Sequence, residues 1–98
     1  MSNILVINGP NLNLLGTREP EVYGDKSLDQ INQELTNIAT ENGSFLEACQ
    51  SNSESELVNI IQEKSKTTDY IIFNPGAFTH TSIALRDVML AVDVPFIE

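Results

Sequence analysis

The chain contains one cysteine, Cys49, and one histidine, His80, and only five lysines and arginines against fourteen aspartates and glutamates. A single thiol excludes an intrachain disulfide and a thiolate metal cluster, and one His with one Cys cannot furnish a zinc site of the usual ligand number. The acids show no calcium-loop spacing either. A formal charge of −9 leaves no basic footprint, which excludes a general nucleic-acid or anionic-membrane surface. An anionic small substrate stays open, because it answers to the local field rather than the total. No apolar run approaches membrane-spanning length, and Met1-Ser2-Asn3 leads into a short apolar stretch without a basic flank or cleavage site. The start therefore does not read as a signal peptide, and a cytoplasmic setting is expected. Neither an internal repeat nor a low-complexity segment interrupts the chain.

What is there suits one domain, residues 1–98, of ordinary apolar content. Ile4-Leu5-Val6-Ile7 is apolar on both faces and closes on Asn8-Gly9-Pro10, the pattern of a buried parallel strand. Asn11 to Asp25 is a long polar connection carrying Gly16, Pro20 and Gly24; loops of that length are commonly functional. Ser27-Leu28-Asp29-Gln30 reads as a capping box, followed by Leu28, Ile31, Leu35 and Ile38 at helical spacing and a stop at Gly43. Phe45 to Cys49 reads as a second strand, in which Cys49 is a small core residue rather than a nucleophile. Ser53 to Glu56 is a second capping box, ahead of a helix with Leu57, Ile60 and Ile61 inward. Tyr70-Ile71-Ile72-Phe73 is a third strand ending in the turn Asn74-Pro75-Gly76. A third helix, with His80 at its start, carries Ala84, Leu85, Val88, Met89 and Val92, and Val94 to Ile97 opens a fourth strand.

The alternation predicts an α/β fold: a flavodoxin-like doubly wound parallel sheet, strand order 2-1-3-4, with right-handed crossovers. Sites in such sheets lie outside the carboxyl ends of the strands, where the turns after the first and third strands would be neighbours. The fourth strand has no following helix, which leaves an open edge. Truncation, with the last strand or strands and helix missing, is the expectation.

Four groups of residues can carry chemistry. Arg18 and Tyr23 share the long loop. A phenol titrates near pH ~10, but a guanidinium at ~4 Å in an effective dielectric of ~20 offers about 4 kcal/mol, some three pKa units before desolvation is subtracted. The pair can thus make a base able to take a proton beside a carbonyl; alternatively they are an ordinary loop aromatic and a solvated charge. Asn8, Asn11, Asn13 and Asn74, near strand ends, serve turns or donate to a substrate hydroxyl or enolate. His80 either binds substrate as a neutral imidazole, caps the helix or faces solvent. Arg86 and Asp87 point about 100° apart on one helix and need not pair; they form a polar outer face or a subunit interface. The glycines after the first strand match neither a Walker loop nor a dinucleotide fingerprint.

The run from Ile7 to Pro20, Ile-Asn-Gly-Pro-Asn-Leu-Asn-Leu-Leu-Gly-Thr-Arg-Glu-Pro, closely resembles the opening of type II 3-dehydroquinate dehydratases. Asn74 to Ser82 and Val94 to Glu98 resemble later motifs of the same family, in the right order. The resemblance implies a homododecameric lyase of the shikimate pathway. It would convert 3-dehydroquinate to 3-dehydroshikimate by trans-dehydration through an enolate, with no cofactor, Schiff base or metal. By motif, Tyr23 would be the base, Arg18 would lower its pKa from a mobile lid, and Asn11 would position an enolate-stabilising water. Asn74 and His80 would bind substrate hydroxyls, Asp87 would reach a neighbouring subunit's site, and Glu98 would orient the general-acid histidine. That histidine, the carboxylate-binding segment and a further arginine would follow Glu98. The 98-residue piece alone is therefore expected to be inactive, the alternative being a non-catalytic scaffold or pseudoenzyme. A receiver domain would want acids where Asn8 and Asn74 stand, and a flavin carrier a Ser/Thr-rich phosphate loop where Gly9-Pro10-Asn11 stands.

Overall fold

The computed structural model describes residues 1–17, 24–79 and 82–98. Its centre is β1 (Asn3–Asn8), the most apolar strand, flanked in an all-parallel sheet by β2 (Phe45–Gln50) on one side and β3 (Tyr70–Asn74), then β4 (Phe96–Ile97), on the other. The order β2-β1-β3-β4 is the one anticipated from the alternation of elements. Three helices make the crossovers: α1 (Leu28–Glu41), α2 (Glu54–Lys64) and α3 (Ile83–Val92). The chain steps one way from β1 to β2 and the other way afterwards. Right-handed crossovers then place α1 on one face of the sheet and α2 and α3 on the opposite face.

The core is built on the α2–α3 side. Leu5 and Ile7 of β1 and Ile71 and Phe73 of β3 alternate toward Leu57 and Ile61 of α2 and Leu85, Val88 and Met89 of α3. Burying each of these contributes about 1.5–3 kcal/mol, so this layer dominates the stability of the fold. No helix among the described residues is long and apolar enough to cross a membrane.

The helix starts follow the serine caps. Ser27 makes both arms of its capping box: the Gln30 N–H donates to Ser27 Oγ at 3.1 Å, and the Ser27 N–H donates to Gln30 Oε1 at 2.7 Å. At α2 only one arm forms. Ser53 Oγ accepts from the Glu56 N–H at 3.3 Å, but the Ser53 N–H is taken by Ser51 Oγ at 2.9 Å, leaving Glu56 nothing to accept. The third helix begins at Ile83, capped by Ser82, whose Oγ accepts from the Leu85 N–H. That is later than the sequence pattern suggests, and His80 lies outside the described residues.

Other boundaries also move. Leu12–Leu14 forms a single 3-10 turn inside the loop expected to be unstructured. Ile38, expected on the inner face of α1, is 57% exposed, while Ala39 is buried. At 100° per residue Ala39 falls about 20° from Leu28 around the axis and Ile38 about 80°, so the small residue takes the inward position. Ala84 likewise faces out from α3. β4 is shorter than the apolar run, although the Pro95 carbonyl already accepts from the Ile71 N–H at 2.9 Å.

Candidate active site

Each of the three long strands ends in a carboxamide. Asn8 is in register with Gln50 of β2 and with Asn74 of β3, so the three side chains form a row across the carboxyl end of the sheet. Pairing runs one residue further on each side. The Gly9 N–H donates to the Asn74 carbonyl at 2.8 Å, and the Ser51 N–H donates to the Asn8 carbonyl at 3.1 Å.

The loops after β1 and β3 then meet backbone to backbone. A Cβ on Gly9 would lie 2.1 Å from the Pro75 carbonyl oxygen, and one on Gly76, at φ +59°, would lie 2.9 Å from the Pro10 carbonyl oxygen. Two glycines, one from each loop, allow this contact. Two turns from distant parts of the sequence thus form one junction.

Asn11 follows directly and adopts a left-handed conformation, φ 66°, which asparagine tolerates better than most residues. Its N–H donates to Asn52 Oδ1 at 3.0 Å. Asn52 is held in turn by Gln50, whose Nε2 donates to Asn52 Oδ1 and to the Gly9 carbonyl, each at 3.1 Å, and approaches Asn13 Oδ1 at 3.5 Å. Asn11 is exposed, and among the described residues its side chain makes no hydrogen bond, so it stands available at the mouth. Asn74 is exposed as well, with Oδ1 only 3.4 Å from the Gly76 N–H. These side chains can donate to an oxygen ligand without titrating. Asn8 is different: it is 5% exposed, and its Nδ2 is buried without a partner.

The structure brings Asn11, Asn13 and Asn74 to one junction. Glu98 follows Ile97, which is level with Ile72 of β3, and lines a groove of about 290 Å³ with Phe73, Arg86, Met89, Leu90 and Phe96. Asp87 is exposed on α3 and does not line that groove. Arg18, Tyr23 and His80 lie outside the described residues. Gln50 and Asn52, which brace the junction, were not anticipated, because β2 was read as ending at Cys49. No local signal marks them: which residue of β2 lies beside Asn8 is set by the sheet register, which spacing along the chain does not fix.

Cys49 is half-buried against the core, and burial raises its thiol pKa above 9.0; Glu47 adds to this and Lys64 opposes it. The folded protein therefore favours the thiol over the thiolate. This contribution to stability is complete below pH 9 and is lost as pH rises through the higher folded value. We expect iodoacetamide at pH 8 to alkylate Cys49 at least several-fold more slowly in the native chain than in urea, as followed by mass spectrometry. Equal rates would place the thiol in solvent.

The model of the class II dehydroquinase family matches residues 2–98. The chain belongs to that family. Curated 3-dehydroquinate dehydratases resemble it throughout: one from Prochlorococcus marinus is 56% identical over 98 residues, and one from Hahella chejuensis 59% over 99. Each alignment covers 100% of this chain and 67% of the relative, so the class II dehydroquinase chain spans about two thirds of their length. A crystal structure of the type II dehydroquinase from Butyrivibrio crossotus superposes with a TM-score of 0.95 at 40% identity, over 99% of this chain and 68% of that one. The flavodoxin-like sheet and the paired Asn-containing loops are therefore those of a dehydroquinase.

Proposed function

We propose that this chain provides the substrate-binding and proton-abstracting part of a 3-dehydroquinate dehydratase. The reaction is the trans-dehydration of 3-dehydroquinate to 3-dehydroshikimate, a step of the shikimate pathway toward chorismate and the aromatic amino acids. The observation that carries the reading is the family match over residues 2–98, on a chain whose β1 and β3 loops form one amide-lined junction.

In this reading Tyr23, as phenolate, removes the proton beside the ketone, and the electron pair moves onto the ketone oxygen as an enolate. Arg18 holds the phenol partly ionised and screens the developing charge. Asn11 positions a water that donates to the enolate oxygen. Asn74 and His80 bind the substrate's hydroxyls and fix which face of the ring meets the base. Collapse of the enolate expels the hydroxyl, which must be protonated as it leaves. By family resemblance the acid is a histidine oriented by Glu98 and following it in the chain, and Asp87 reaches the site of a neighbouring subunit in a dodecamer. The enzyme would be cytoplasmic and would use no cofactor.

Loss of general acid catalysis alone costs ~10²–10⁴ in rate. The 98-residue chain is thus expected to turn over 3-dehydroquinate at least 10²-fold more slowly than an intact relative, followed as enone absorbance. Fused to the remaining third of the Hahella chejuensis relative, it should form 3-dehydroshikimate. A folded fusion without turnover would sink the catalytic reading, and normal turnover by the 98 residues alone would refute the division of labour.

A further inference from the structure

Asn11 does not hold its conformation by itself. Its backbone lies in the left-handed region, φ 66° and ψ −3°, which is disfavoured for residues with a Cβ, and its side chain makes no cap on the 3-10 turn that follows. The peptide planes on either side of it are each pinned by one bond. After Asn11, the Leu14 N–H donates to the Asn11 carbonyl at 2.9 Å, within the local turn. Before it, the Asn11 N–H donates to Asn52 Oδ1 at 3.0 Å, a residue 41 positions away. Because peptides are planar, pinning both planes fixes φ and ψ at Asn11, and with them the direction of its Cα–Cβ bond.

Asn52 does not keep that acceptor in place alone. It is exposed in the connection between β2 and α2, and Gln50, the last residue of β2, holds it. The Gln50 amide nitrogen carries two hydrogens. One bond goes to Asn52 Oδ1 and another to the Gly9 carbonyl, each at 3.1 Å. Gln50 thereby grips the turn on both sides of Pro10: directly at the Gly9 C=O, and through Asn52 at the Asn11 N–H. Gln50 is itself fixed by the sheet, since it is level with Asn8 and the next N–H, that of Ser51, donates to the Asn8 carbonyl.

We propose that Gln50 is a positioning residue for the dehydration: acting through Asn52, it sets the Asn11 backbone and so directs the Asn11 carboxamide to the water that stabilises the enolate. Gln50 touches no reacting atom. The role rests on the one given to Asn11 above, and adds that the end of β2 imposes it. What residue 50 must supply is a donor facing two oxygens. Glutamate there has the same length and shape but turns a carboxylate oxygen toward both, which drives Asn52 and the Gly9 carbonyl away from it. A misplacement of about 1 Å can cost ~10²-fold in rate. The enolate forms only after substrate is bound, so the loss falls on kcat rather than KM.

The test uses the fusion with the remaining third of the Hahella chejuensis relative for turnover, and the 98-residue chain for structure. Gln50→Glu should lower kcat at least ~10-fold and leave KM within about twofold. Asn52→Leu, similar in size but without the acceptor, should do the same. Asn52→Asp, which still accepts from the Asn11 N–H, should keep most of kcat. Added to Asn11→Ala, Gln50→Glu should cost less than about twofold more, because it acts through Asn11. In the 98-residue chain, followed by NMR, the Asn11 N–H should resist exchange with solvent and lose at least about tenfold of that protection in Gln50→Glu, a readout free of catalysis. Unchanged kcat in Gln50→Glu, losses that add in full to those of Asn11→Ala, or an unprotected Asn11 N–H in the unsubstituted chain would each overturn the positioning role alone. If Gln50→Glu does not fold, Asn52→Leu against Asn52→Asp decides: equal kcat in the two overturns it. Full kcat in Asn11→Ala, or an unsubstituted fusion without turnover, would instead remove the reading of Asn11, and the positioning role with it.

Discussion

Tyr23→Phe in the intact enzyme is expected to lower kcat by about 10²–10⁴, the usual worth of a positioned acid or base, with substrate affinity and far-UV circular dichroism unchanged. The substitution removes one oxygen and keeps the ring, so packing is nearly constant and the loss falls on proton transfer. In the proposed mechanism phenolate is the working form, so the acid limb of kcat/KM against pH would report the Tyr23 pKa. A guanidinium beside the phenol would favour its charged form, so on this proposal Arg18→Ala should move that limb upward. A guanidinium at ~4 Å is worth about 4 kcal/mol at an effective dielectric of ~20, which sets an upper bound near three units. Tyr23→Phe with kcat intact would mean that another group takes the proton. An unmoved acid limb in Arg18→Ala would mean that the two side chains do not interact.

The largest stability effect is expected at Gly9. A Cβ there would lie 2.1 Å from the Pro75 oxygen and 2.6 Å from its carbonyl carbon, both backbone atoms that no rotamer change can move. Relief requires separating the β1 and β3 loops, which stretches the 2.8 Å bond from the Gly9 N–H to the Asn74 carbonyl. Overpacking costs about 1–3 kcal/mol and a lost hydrogen bond about 1 more, so Gly9→Ala should destabilise by ~3 kcal/mol. Domains of this size hold only about 5–15 kcal/mol, and the melting temperature should fall by more than about 10 °C. Gly43→Ala is the comparison: its φ of +72° strains an alanine, but nothing lies within 4 Å of the added carbon, so about 1–2 kcal/mol is expected. Urea denaturation of both variants decides the matter. If Gly9→Ala were no worse than Gly43→Ala, the two loops would not abut in solution and no shared pocket would exist between them.

The parts of the site that were legible in the sequence are those whose partners are near in the chain or whose motif is specific. The Ser27–Gln30 box closes over three residues, so its form follows from local spacing. The second box failed because Ser51, two residues before Ser53, competed for the same N–H, and spacing alone does not rank two nearby acceptors. Ile38 failed for a related reason: helical spacing gives the angle between residues, but only the packed sheet decides which angle points inward.

The sequence alone determined the order of the strands, through a strict alternation of strand and helix, and pointed to the family through the resemblance of its motifs at Ile7–Pro20, Asn74–Ser82 and Val94–Glu98. Right-handed connection leaves few topologies for such a pattern, so chemistry at the carboxyl ends could be anticipated. Only the tertiary structure decided that Gln50 and Asn52 brace Asn11 and that Gly9 and Gly76 touch the opposing loops. Those relations join residues some 40 to 66 positions apart. They depend on register and on close backbone approach, which exist only once the sheet has formed.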